Sequence, residues 1–154
     1  MTGPAGGMVP HVPDDQLPWI PAGDGVELKV LRVVESAGLW IVRNRFQPGI
    51  QIPTHRHTGP VHGFTLTGRW HYAEYEIDYT TGSYIFEPAN SVHTLTVNGD
   101  NTESTDVLFI MQGANLNLSA TGEIERVDDG PTTLAYYIAA CEAQGHSRPP
   151  VLTR

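Results

Sequence analysis

The sequence predicts a single all-β domain, a sandwich or barrel, with an extended N-terminal arm before it and one C-terminal α-helix after it. Three observations predict this. Between Val26 and Met111, short runs of β-branched, aromatic and alternating apolar residues follow one another closely, separated by Gly, Pro, Asn and Asp clusters. Glycine (16) and proline (12) are frequent among the 154 residues, as many tight turns require. Helical spacing is found only near the C-terminus. The expected divisions are an arm over 1–24, a barrel over 25–128, and a helix with its tail over 129–154.

Residues 1–8 are Gly-rich and unpatterned, and a loose terminus is expected there. Four prolines between Pro10 and Pro21 fix φ and restrict their predecessors, so this stretch reads as extended. Trp19 within it is large enough to anchor the arm on the domain. Val26–Val34 alternates, Trp40–Phe46 is rich in β-formers, and Gln47-Pro48-Gly49 reads as a turn. His55–His57 has strand-like composition. His62–Thr67 and Trp70–Tyr79 flank Gly68-Arg69 and read as a hairpin. Tyr84–Glu87, His93–Val97 and Val107–Met111 complete the strands. Asp129 is placed to cap a helix that begins near Pro131 and runs to a stop at Gly145. Leu134, Tyr137, Ile138 and Cys141 share one face of that helix, which suits packing against the barrel.

Composition excludes several classes of function. The formal net charge is -8, and Lys29 and eight thinly spread arginines form no basic stripe, so nucleic acid is not an expected partner. No apolar stretch approaches the roughly 20 residues of a membrane helix, and no basic segment precedes an apolar run as in a secretory signal. Cys141 is the only cysteine, so no internal disulfide forms, and a buried, inert thiol is expected. A cytoplasmic protein is the default expectation.

The chemistry concentrates in two stretches. The first, Gly49 to Gly68, contains His55-Arg56-His57. Alternate strand residues share a face, so the two imidazoles project together, and neutral imidazole is the commonest protein ligand for transition metals. The second runs from Gly82 through Pro88 and Asn90 to His93. Arg56, between two inward rings, is expected to face outward; His11 and His146 near the termini are expected in solvent.

These stretches resemble the two motifs of the cupin superfamily, whose fold is a jelly-roll β-barrel. In the first motif, G-x5-H-x-H-x3/4-E-x6-G, the matching residues are Gly49, His55, His57 and Gly68. In the second, G-x5-P-x-G-x2-H, they are Gly82, Pro88 and His93, with Asn90 replacing a glycine. Asn is the mildest such replacement where a turn wants positive φ. The usual glutamate ligand is missing from the first motif. One register puts Val61 in its place and the other His62. The Val61 register also places Gly63 where many cupins carry a small residue, and it turns His62 to the opposite face. Either His62 or a water remains as the completing ligand.

A narrower resemblance covers most of the chain. The PWIP segment, HRHTGPVHGFTLTGRWHYAE and GSYIFEPANSVHTL are similar to the 2,4'-dihydroxyacetophenone dioxygenases, whose ligand arrangement acetylacetone dioxygenase shares. The resemblance implies non-haem Fe(II) held by His55, His57 and His93, and cleavage of a C–C bond next to a carbonyl. Zn, Ni, Co or Cu would suit the same imidazoles. It brings Glu74 to a glutamate position of the family, making it the first candidate for a general base, with His71 and Glu76 behind it. Glu87, next to Pro88, is expected to serve the turn. Phe64, Trp70, Tyr84 and Phe86 are candidates to line an apolar substrate pocket. The implied partners are a small carbonyl substrate, molecular oxygen and a second copy in a homodimer, contacting through a strand edge or the arm. The competing readings are a non-redox metal isomerase or hydrolase, and a metal- or ligand-binding regulator.

Overall fold

The computed structural model describes residues 9–154; the expectation for residues 1–8 lies outside them. The strands are β1 (Ile20–Pro21), β2 (Val26–Val34), β3 (Leu39–Phe46), β4 (His55–His57), β5 (Val61–Thr67), β6 (Arg69–Tyr72) and β7 (Tyr79–Thr80). There follow β8 (Tyr84–Glu87), β9 (Val92–His93), β10 (Leu95–Val97), β11 (Thr105–Gln112), β12 (Asn115–Leu118), β13 (Ile124–Asp128) and the helix α1 (Gly130–Ala143). They form a six-stranded sheet, β1-β2-β3-β11-β5-β8, a four-stranded sheet, β13-β12-β4-β9, and a three-stranded sheet, β10-β6-β7.

Alternation decides which side chains enter the barrel. Val61, Gly63 and Thr65 of β5 face inward, and His62, Phe64 and Leu66 outward. Val30, Val42, Val107 and Phe109 carry the six-stranded sheet into a core that Trp70, Tyr72, Leu95 and Val97 share from the three-stranded sheet. Gly63 is needed where it stands, because an added Cβ would lie 2.9 Å from the Ile85 side chain on β8.

Three expectations are corrected here. His62–Thr67 and Trp70–Tyr79 do not pair as a hairpin: β5 pairs with β11 and β8, whereas β6 pairs with β10 and β7. Gly68, at φ 92, turns the chain from one sheet into the other, with Thr105 so close that a Cβ would meet its Oγ1 at 2.4 Å. The expected strand Trp70–Tyr79 is also broken after Tyr72 by a turn. The expected strand over His93–Val97 divides at Thr94. Strands β12 and β13 were not expected.

The arm is held from two sides. Leu17 and Ile20 are buried in the core, and Lys29, Arg43 and Arg45 lie over the Trp19 ring at 4.4–5.2 Å from its centroid. Lys29, itself buried, pairs with Asp14 at 2.9 Å. From α1, the Tyr137 and Tyr136 hydroxyls donate to the carbonyls of Pro18 (2.6 Å) and Pro21 (2.5 Å). Asp129 caps α1 as expected, accepting from the Thr132 backbone N–H while Thr132 Oγ1 accepts from the Asp129 N–H. Tyr137 and Cys141 are the fully buried side chains of the expected helix face, and among the described residues no helix is long and apolar enough to cross a membrane.

Candidate metal centre

The four-stranded sheet brings the histidines together. His55 and His57 sit two residues apart on β4, and the register sets His93 of β9 directly opposite His55. All three are at most 4 % exposed. Ring centroids are 4.9 Å apart for His55 and His57, and 6.4 Å for His55 and His93. The turn that delivers His93 is fastened to β4 by the Asn90 N–H, which donates to the His57 carbonyl at 2.7 Å. Asn90 adopts φ 66, the only non-glycine with positive φ among the described residues, as its place in the turn required.

Hydrogen-bond bookkeeping fixes two tautomers. The His55 Nδ1–H donates to the Pro53 carbonyl at 3.0 Å, which leaves the lone pair on Nε2. The Ser91 hydroxyl donates to the Pro88 carbonyl at 2.6 Å. Its single proton is thereby used, so it accepts from the His93 Nε2–H at 2.7 Å, and the His93 lone pair rests on the buried, unpartnered Nδ1. Burial lowers the pKa of all three rings; His57 falls to about 3, with its neighbours His55 and His93 adding to the effect. Three neutral imidazoles result, the form in which a metal is bound.

Glu87 joins them, which corrects two expectations. It does not serve the turn, and the centre is not without a carboxylate. Glu87 lies directly opposite Val61 in the β5–β8 register, so it enters the barrel across from the place where the first cupin motif carries its glutamate. It is 3 % exposed, and its Oε2 stands 3.2 Å from His57 Nε2. His55, His57 and Glu87 offer ligand atoms that all lie within 4.8 Å of one another. The buried Tyr72 hydroxyl donates to Glu87 Oε1 and fixes the carboxylate, whose pKa burial pushes up to about 7. Glu87 Oε2, His57 Nδ1 and His93 Nδ1 are buried without hydrogen-bond partners among the described residues. Buried polar atoms left in this state are costly, and a divalent cation is what this donor set fits.

The other candidates lie elsewhere. Glu74 is exposed on the turn after β6 and accepts from the Thr94 N–H (3.0 Å) and hydroxyl (2.6 Å). Its carboxylate is committed to the junction beside His93 and not to the cavity. His71 bonds Asn98 at 3.0 Å, and Glu76 is exposed. Phe64, Tyr84 and Phe86 stand outside the barrel, 39–53 % exposed, where strand parity sends them. His62 is beside them, joined to the Tyr84 hydroxyl at 2.6 Å, and so is not turned toward the other histidines. Trp70 is wholly buried core, donating to Thr65 Oγ1 at 2.9 Å.

The cavity itself, about 530 Å³, lies between the four-stranded and six-stranded sheets and is reached by His55, His57 and Glu87. Its opposite wall is apolar, with Leu28, Val42, Phe109 and Met111. The sequence expectation missed this wall because its members are ordinary core residues locally, and missed Glu87 because its neighbour Pro88 suggested a turn. Alternation along Tyr84–Glu87, with Val61 as the partner, was the signal available.

Comparison with known proteins gives a family. The ChrR cupin-like domain matches residues 10–115. A cupin-fold protein of unknown function from Ralstonia eutropha JMP134 is 29% identical, with TM-score 0.87 over 94% of this chain and 91% of its own. An acetylacetone dioxygenase from Acinetobacter johnsonii has the same fold at 15% identity, with TM-score 0.75 over 91% of this chain and 97% of its own. The anti-sigma ChrR, in its complex with Rhodobacter sphaeroides SigE, matches with TM-score 0.54 at 16% identity over 65% of this chain and 51% of its own. No curated protein matches the sequence.

Proposed function

Because the chain belongs to the ChrR cupin-like domain family, we propose that it is a metal-dependent dioxygenase that cleaves a C–C bond next to a carbonyl in a small α-hydroxyketone or β-diketone. The observation that carries this reading is the set of buried, unpartnered ligand atoms on His57, His93 and Glu87, with His55, His57 and Glu87 reaching the cavity between the two sheets. His55, His57 and His93 would hold the metal, Fe(II) by the resemblance, and Glu87 would complete the donor set. When bound, that metal supplies Lewis acidity toward the substrate oxygens and the route to molecular oxygen.

The chain's own residues do the remaining work. The Pro53 carbonyl and Ser91 hydroxyl hold two rings in a single tautomer and orientation. Tyr72 holds Glu87 in place. Leu28, Val42, Phe109 and Met111 exclude water from the reacting face and accept the apolar part of the substrate. Glu74 positions the Thr94 junction behind His93. A homodimer fits the same reading, since β8 is an edge strand and carries the exposed Tyr84 and Phe86.

A second reading, a metal-dependent regulator, is favoured by the fold shared with the anti-sigma ChrR. Oxygen uptake separates the two. Protein reconstituted anaerobically with Fe(II) is expected to consume oxygen with acetylacetone or 2,4'-dihydroxyacetophenone, and a His93→Ala variant is not. Stoichiometric iron without uptake on either compound would reject these substrates and favour the regulator.

A further inference from the structure

Directly opposed residues of an antiparallel pair stand on the same face. The register of β12 against β4 sets Asn117 opposite His55 and Asn115 opposite His57. The register of β13 against β12 then sets Arg126 opposite Asn117 and Asp128 opposite Asn115. Two polar rows therefore cross the inner face of this sheet from the histidines toward its edge, and both open on the cavity.

Most of that polarity is already used. Asn117 Nδ2 donates to Asp128 Oδ2 at 2.8 Å, and Arg126 Nη2 donates to the same oxygen at 3.0 Å. Asn115 is the exception: its Oδ1 is buried and has no partner among the described residues. A buried amide oxygen without a donor is unfavourable, and an apolar residue of similar volume would remove the penalty. Asn115 also lies one strand spacing, roughly 5 Å, from His57. A molecule seated on the metal centre would carry a substituent to that oxygen within a few bonds.

Resting on the metal-centre reading, we propose that Asn115 determines substrate specificity by accepting a hydrogen bond from a hydroxyl or N–H on the substrate. The cavity then takes a flat molecule with one apolar face, for Val42, Phe109 and Met111, and a donor group along its other edge. A diketone with only alkyl ends would leave Asn115 unsatisfied. Sites built to hydrogen-bond a substrate group discriminate strongly against the analogue that lacks it.

The test uses Zn(II)-loaded protein, which binds without turnover, and calorimetric titration with 2,4'-dihydroxyacetophenone and with 2-hydroxyacetophenone, which lacks the ring hydroxyl. Native protein is expected to bind the former roughly tenfold more tightly, the scale of one hydrogen bond to a buried acceptor. Asn115→Leu is expected to bind both alike while keeping its zinc. Asn115→Asp, which retains the acceptor, is expected to restore the preference. Equal metal-dependent binding of the two compounds by the native protein would overturn the inference about Asn115 and leave the proposed function standing. A preference that survives in Asn115→Leu would overturn it as well. Binding of neither compound, or binding that ignores the metal, would remove the proposed function and this inference together.

Discussion

At the scale of single residues, the centre is defined by which atoms lack partners. Glu87 is held by Tyr72 and faces His57 with its other oxygen. Removing the charge in Glu87→Gln should weaken metal binding by more than the loss of its support in Tyr72→Phe. For the latter a drop of roughly tenfold is expected. Competition against a chromophoric chelator measures both. The same burial sets the acid response of metal-free protein. His55, His57 and His93 all have lowered pKa values, from 6.5 to about 3 for His57, so the folded state binds fewer protons than the unfolded chain. Their contribution is present above pH 6.5 and is lost as the pH falls toward the lowered values. Glu87, raised from 4.5 to about 7, acts oppositely between those two values and offsets part of the loss. Melting temperature should therefore fall on acidification from pH 6.5, most steeply below 4.5, and His57→Asn should flatten the curve. A profile that rises on acidification would contradict this account.

At the scale of elements, local chemistry was a good guide where the chain's own residues settle the conformation. The capping box of Asp129 and Thr132 and the αL residue Gly145 delimit α1 without outside help. Asp129→Ala should cost about 1 kcal/mol in chemical denaturation, the usual worth of an N-cap, with the metal centre intact. Periodicity failed where one apparent strand serves two purposes. Trp70–Tyr79 reads as continuous, but Glu74 turns back to bind Thr94 and divides it. Gly68 looked like a hairpin turn; the structure uses it to pass from one sheet to another, because Thr105 packs where a side chain would be. Asn115-Leu116-Asn117-Leu118 alternates and precedes a turn ending at Gly122, so β12 was legible in principle. What could not be read is that its polar face is the inner one.

At the scale of the whole molecule, the cavity exists because two sheets stand apart, one presenting apolar residues and the other imidazoles and amides. The outer face of the β5–β8 pair carries Phe64, Tyr84 and Phe86, half-exposed at a sheet edge. If that edge joins two copies, Phe86→Asp should convert a sedimenting dimer to monomer without loss of bound metal. A native protein that sediments as a monomer would exclude the dimer.

The sequence by itself determined the β-rich class, the capped terminal helix and the co-facing pair His55 and His57, because each follows from spacing within a few residues. It also marked His93, through the Pro88–Asn90 turn that the resemblance picked out. Tertiary structure alone decided that Glu87 joins the histidines, that Phe64, Tyr84 and Phe86 stay outside, and that Asn115 faces the cavity. Those outcomes depend on strand register and on which sheet face is buried. Both are fixed by pairing between segments distant in the chain, where a shift of one residue reverses every side chain.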